Sequence, residues 1–347
     1  MKHHVLASLL AALTAVAAIA CRAGTGVSQL PPEGGDGPVT VFYPTAAPDE
    51  TVQRGPFVLS LAPQAVPARG NGRLIVISHG SGGNAWVHSD LARALVGAGF
   101  VVAVPRHRGD NSLDPSDPGP DSWKLRPGEV SRAIDAVAHA SQLAPLLALD
   151  RVGVYGMSAG GHTALTFAGG RWSPRSFAQH CEAHIAQDFP ACVGLYASLR
   201  GDLFDGLKET VALIVIRHRF EDDAAWYSHS DPRVQAVVAA VPFAADFDPA
   251  SLARPRVPLG LVLAERDQWL APRFHGGAVL KACQPRCELL ADIAAGGHGS
   301  MLSPLPPPAV LGARASALLS DPTGFDRSQM AAVNQRIAAF FRAHLLP

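Results

Sequence analysis

From residue 39 onward, short apolar runs rich in β-branched residues alternate with stretches whose apolar positions recur at helical spacing. Val39–Tyr43 and Phe57–Leu61 read as short strands, and Arg73–Ser78 as a strand suited to burial on both faces. Ser89–Gly97 has helical spacing and ends on glycine, and a further strand, Phe100–Val104, is halted by Pro105. Arg126–Leu143 is predicted helical with Val130, Ile134 and Val137 on one face, and Val152–Tyr155 follows as a strand. Beyond it, Val211–Arg217, Val234–Val241, Leu259–Ala264 and Cys287–Leu290 are predicted strands. Arg327–Leu345 is a terminal amphipathic helix carrying Met330, Val333, Ile337, Phe340 and Phe341. Such alternation implies one α/β domain over 39–347, a mostly parallel central sheet with helices on both faces. Residues 169–233 are less regular and are expected to form a lid-like insertion, while Ser303–Pro308 marks a rigid loop.

The first residues have a different character. Met1-Lys2-His3-His4 precedes an apolar run, Val5–Ala20, too short and too alanine-rich for a membrane span, so residues 1–20 are expected to be an export signal. Residues 21–38 are rich in Gly, Pro and Ser and read as a flexible tether. Of five cysteines, Cys181 and Cys192 are sequence neighbours, as are Cys283 and Cys287, which leaves Cys21 directly after the expected cleavage point. Two local disulfides and a lipidated Cys21 account for all five, although Ala18 stands where a lipobox usually has leucine. The expected location is periplasmic or membrane-anchored, with free secretion as the alternative. The 29 basic and 29 acidic residues balance, so no net field attracts nucleic acid, and any membrane contact is expected only through the lipid.

The strongest chemical signal is Val152-Gly153-Val154-Tyr155-Gly156-Met157-Ser158-Ala159-Gly160-Gly161, an apolar strand entering a G-x-S-x-G turn with a helix-like segment behind it. Such a turn exposes the Ser158 hydroxyl as a candidate nucleophile. A serine hydroxyl needs a base, and the base needs an acid to orient it. Pro258–Asp267 is an apolar strand ending in acidic residues; Asp267 is preferred as the acid over Glu265 and Asp246. His298, in the glycine-flanked loop Ala294–Ser300, is preferred as the base over His275 and His344. Stabilising an oxyanion needs backbone N–H donors, expected from Ala159 and from Ser81 in the glycine-rich turn Ser78-His79-Gly80-Ser81-Gly82-Gly83-Asn84. That turn lacks the G-K-[ST] ending of a phosphate loop, and His79, expected to brace it, has no partner at H-E-x-x-H spacing. Neither metal nor organic cofactor is called for. The basic residues of Pro105–Asn111 are as well suited to holding a loop as to reaching a pocket, and a packing role is favoured for His162.

The chain resembles the predicted dienelactone hydrolases and the platelet-activating-factor acetylhydrolase-like esterases of the α/β-hydrolase superfamily. The matching segments are Val41-Phe42-Tyr43-Pro44-Thr45, Ser78–Gly83, His107-Arg108-Gly109-Asp110, Gly156–Gly161, Glu265-Arg266-Asp267 and Gly297-His298, in the expected order. The resemblance implies an α/β-hydrolase fold, a Ser158–Asp267–His298 triad and an oxyanion hole at Ser81 and Ala159. True dienelactone hydrolases use a cysteine nucleophile, so Ser158 points instead to a short-chain carboxylic ester as the small-molecule substrate. An acyltransferase, a lipase or polyester depolymerase, and a non-catalytic envelope lipoprotein are the alternatives.

Overall fold

The computed structural model describes residues 24–347. The expected export signal and Cys21 lie outside the described residues. The strands are β1 (Gly24–Leu30), β2 (Val39–Thr45), β3 (Glu50–Arg54), β4 (Phe57–Pro63), β5 (Leu74–Ser78), β6 (Val101–Pro105), β7 (Val152–Met157), β8 (Val234–Ala240), β9 (Leu259–Ala264) and β10 (Glu288–Ile293). The helices are α1 (Ser89–Gly97), α2 (Pro120–His139), α3 (Ala159–Phe167), α4 (Pro174–His184), α5 (Phe189–Val193), α6 (Asp205–Phe220), α7 (Pro249–Leu252), α8 (Gly276–Cys283), α9 (Ala313–Leu319) and α10 (Met330–Leu345).

The strands form a ten-stranded sheet in the order β10-β9-β8-β7-β5-β6-β2-β1-β4-β3. β6, β5, β7, β8, β9 and β10 run parallel, each pair joined through a helical crossover, whereas β2 joins β6 antiparallel and β1 joins β2 antiparallel. A parallel sheet must be covered on both faces, which is why β5, β6 and β7 are wholly buried and almost entirely apolar. α2, α3 and the inserted helices pack one face around Trp123, Val130, Ile134, Leu165 and Trp172; α1 and α10 pack the other around Leu91, Leu95, Ile337 and Phe341.

Two sequence expectations are corrected here. The tether expected over 21–38 gives way at Gly24, because β1 forms a full ladder with β2, from Gly24 opposite Thr45 to Leu30 opposite Val39. The two glycines of β1 serve close packing, since a side chain on Gly24 would strike the Ala47 carbonyl and one on Gly26 the Tyr43 ring. Val211–Arg217, expected as a strand, lies inside α6. Its run of β-branched residues packs inward only through Ile216, with Phe220 one turn later; Val211, Ile214 and Val215 are exposed, an i, i+4 pattern that a strand would not produce.

The insertion between α3 and β8 comprises α4, α5 and α6, and the Cys181–Cys192 disulfide staples α4 to α5. Cys283–Cys287 closes the loop between α8 and β10. Among the described residues no helix is long and apolar enough to cross a membrane.

His88, just before α1, is wholly buried with its ring edge-on to Tyr155 at a centroid distance of 6.0 Å. Neither ring nitrogen has a hydrogen-bond partner among the described residues, and burial pushes its pKa down to about 4. An unfolded chain takes up this proton near pH ~6.5, so the neutral His88 leaves stability intact above that pH and withdraws it as pH falls toward 4, by about 3 kcal/mol in all. Thermal melts between pH 7 and 4.5 are expected to show this slope, shallower in His88→Leu; an unchanged slope would rule out His88 as a source.

Candidate active site

Ser158 sits between β7 and α3 with φ +59° and ψ −119°, a left-handed backbone that a serine adopts only when its surroundings enforce it. Its N–H donates to Ala240 O at 3.1 Å, and its carbonyl accepts the N–H groups of His162 at 3.0 Å and Phe243 at 3.2 Å. Neighbouring glycines allow the turn to close. A Cβ on Gly156 would overlap the carbonyl oxygen of Gly160, and one on Gly160 would overlap that of Ser78.

Asp267 follows β9 at the carboxyl edge of the sheet. One carboxylate oxygen accepts the N–H groups of Trp269 and Leu270 at 2.8 and 2.9 Å, which fixes the plane of the group. The other accepts from His298 Nδ1 at 2.7 Å. With the Nδ1 proton so committed, Nε2 carries the lone pair, and it lies 2.9 Å from Ser158 Oγ. His298 and Asp267 are each 5% exposed, so the pair operates largely out of water. Arg327 braces the His298 turn by donating to Gly299 O at 3.1 Å and Leu302 O at 2.7 Å.

The competing residues are occupied elsewhere. Glu265 is exposed, Asp246 faces His162 Nε2 at 3.1 Å, and His344 pairs with Glu288 on the surface. His275 accepts the Ala244 N–H at Nδ1 (3.1 Å) and donates from Nε2 to Asp188 Oδ2 (2.9 Å), an oxygen that also receives His180 Nε2 at 2.8 Å. These three side chains have the composition of a metal site, but the chemistry does not fit. Because the Nδ1 of His275 is an acceptor, the ring's proton must sit on Nε2, the atom a metal would need. His162 packs against Trp123, Trp172 and Phe247, in keeping with the packing role favoured for it.

Ser81 and Ala159 flank the nucleophile. Ala159 opens α3, so its N–H has no carbonyl to meet within the helix. The Gly80–Ser81 turn lies against the elbow, since a Cβ on Gly80 would stand 3.4 Å from Ser158 Cβ. Beneath it is a buried polar layer. His79 Nδ1 donates to Gly80 O at 2.8 Å, and its Nε2 accepts the His107 N–H at 3.4 Å. Ser78 Oγ lies 2.8 Å from His107 Nε2, and His107 Nδ1 donates to Glu129 at 2.6 Å. Arg126, wholly buried, donates to His79 O at 2.6 Å and to the Asp110 carboxylate at 2.7 Å.

Burial keeps His79 and His107 neutral by lowering both well below the usual histidine range, with Arg126 adding to the effect. Burial also raises Glu129. For Asp110 burial acts in the same upward direction, but Arg126 and the hydrogen bonds from Ser81 and Gly82 outweigh it and hold the carboxyl below its ordinary value. Of the two roles the sequence leaves open for Pro105–Asn111, His107 and Asp110 take part in bracing the turn, together with Arg126 and Glu129, which the sequence reading does not single out. The signal for Arg126 is a charged residue three positions after Trp123 and four before Val130, on the apolar face of a helix; Glu129 follows it at i+3.

Comparison with models of protein families and with curated proteins found no match. The fold and site define an α/β protein whose mixed, mostly parallel ten-stranded sheet is consistent with an α/β-hydrolase-like fold.

Proposed function

We propose that this chain is an exported serine hydrolase that cleaves short-chain carboxylic esters through an acyl-enzyme. The observation that carries the reading is the unbroken line Ser158 Oγ, His298 Nε2, His298 Nδ1, Asp267 Oδ2, with separations of 2.9 and 2.7 Å across the two hydrogen bonds. As Ser158 attacks the ester carbonyl, its proton passes to His298 Nε2, and Asp267 stabilises the imidazolium. The N–H groups of Ala159 and Ser81 receive the oxyanion. The leaving alcohol takes the proton from His298; water then enters, gives its proton to the same nitrogen, and releases the acid and free Ser158. The resemblance of six segments to dienelactone hydrolase-like and acetylhydrolase-like esterases agrees with this assignment, and the two disulfides favour an oxidising compartment.

The test is a fluorophosphonate probe followed by peptide mapping, with p-nitrophenyl esters of increasing chain length as substrates. A single adduct on Ser158 and turnover that declines with acyl length are expected. A folded protein that takes no label would overturn the reading and favour a binding module.

A further inference from the structure

The Ser81–Gly82 turn is held by something other than its own backbone. Asp110 Oδ1 accepts both Ser81 Oγ at 2.5 Å and the Gly82 N–H at 2.9 Å, while Oδ2 is fixed by Arg126 at 2.7 Å. Asp110 and Arg126 are both 0% exposed at the side chain, so neither rotates into solvent and the carboxylate has one orientation. Arg126 in turn grips His79 O and Ser122 Oγ, which ties α2 to the end of β5 directly before the turn. Gly82 has φ +63°, so the chain reverses at the residue whose N–H the carboxylate holds.

We infer that Asp110 is a positioning residue for oxyanion stabilisation: its carboxylate sets the orientation of the Ser81–Gly82 turn, and through it the direction of the Ser81 N–H. The inference rests on the ester-hydrolase reading and adds to it a residue that touches neither substrate nor the Ser–His–Asp line. A donor already fixed when charge develops on the acyl oxygen needs no reorganisation at that moment, which is the condition under which such donors act most strongly. The side chain of Ser81 is then a tether and its backbone is the donor. Removing the hydroxyl should weaken the transition state while leaving ground-state binding unchanged.

The experiment compares wild type with Ser81→Ala, Ser81→Thr and Asp110→Asn, measuring kcat and KM on a short p-nitrophenyl ester and the inhibition constant of an alkyl boronic acid. The boronate forms a tetrahedral anionic adduct at the nucleophile and reports the oxyanion site directly. Ser81→Ala is expected to lose about 10-fold in kcat and in boronate affinity alike, with KM unchanged. Ser81→Thr, which keeps the hydroxyl, should recover most of both. Asp110→Asn is expected to lose about 100-fold, since it also leaves Arg126 without its counter-charge. Should that variant fail to fold, the Ser81 pair decides the matter, because the Asp110–Arg126 bond is intact in both. A wild type that hydrolyses esters while Ser81→Ala keeps full kcat and boronate affinity overturns this inference alone. A wild type that neither hydrolyses esters nor reacts with the phosphonate overturns the ester-hydrolase reading and this inference with it.

Discussion

Ser158→Ala is expected to lower kcat for ester hydrolysis by about 10⁴-fold or more, with little change in melting temperature. The size follows from the chemistry: without the hydroxyl no acyl-enzyme forms, and His298 is left to activate water with nothing positioned to collapse. The stability expectation follows from the structure. Ser158 is held through its backbone, by Ala240, His162 and Phe243, and none of these bonds involves Oγ. Its side chain makes a hydrogen bond only to His298 among the described residues. Steady-state kinetics beside a thermal melt separates the two effects. Retention of more than about a hundredth of wild-type kcat would move the chemistry away from this serine.

Gly160→Ala should act in the opposite way, abolishing activity by destroying the fold around the turn. The added methyl would meet the Ser78 carbonyl, a backbone group at the end of a central, fully buried strand that cannot swing aside as a side chain could. Overpacking of this kind costs about 3 kcal/mol or more, a large part of the stability of most domains. The expected result is a steep fall in melting temperature or in soluble yield, together with loss of fluorophosphonate labelling. A variant with an unchanged melting temperature would mean that β5 and α3 are not packed as closely as described.

These two positions also show what a sequence can disclose. Gly156, Ser158 and Gly160 are contiguous, and their roles follow from local stereochemistry, so the turn was legible from ten residues. Asp267 was legible because it follows an apolar, wholly buried strand, and His298 because it lies in a glycine-flanked loop after the last strand; the carboxyl ends of parallel strands meet at one edge. The insertion was not legible in the same way. The run Val211–Ile216 has the composition of a buried strand, and only packing against α4 shows that Ile216 and Phe220 face inward from a helix. β1 was hidden for the converse reason, since its glycines read as flexibility until Gly24 is seen packed against Ala47 and Gly26 against the Tyr43 ring. The polar layer under the oxyanion turn depends on groups from β5, the loop after β6, and α2. No local pattern joins Ser78, His107, Asp110, Arg126 and Glu129 before the chain is folded.

The path of β1 fixes the side from which the chain enters the sheet. β2 runs against the parallel strands, with Val39 beside Pro105 at their carboxyl ends, and β1 reverses it again, so Gly24 emerges at their amino ends. Ser158 lies at the opposite rim. The start of β1 and the Ser158 turn thus occupy opposite rims of one sheet, so the segment ahead of Gly24 joins the body without crossing the edge that carries Ser158.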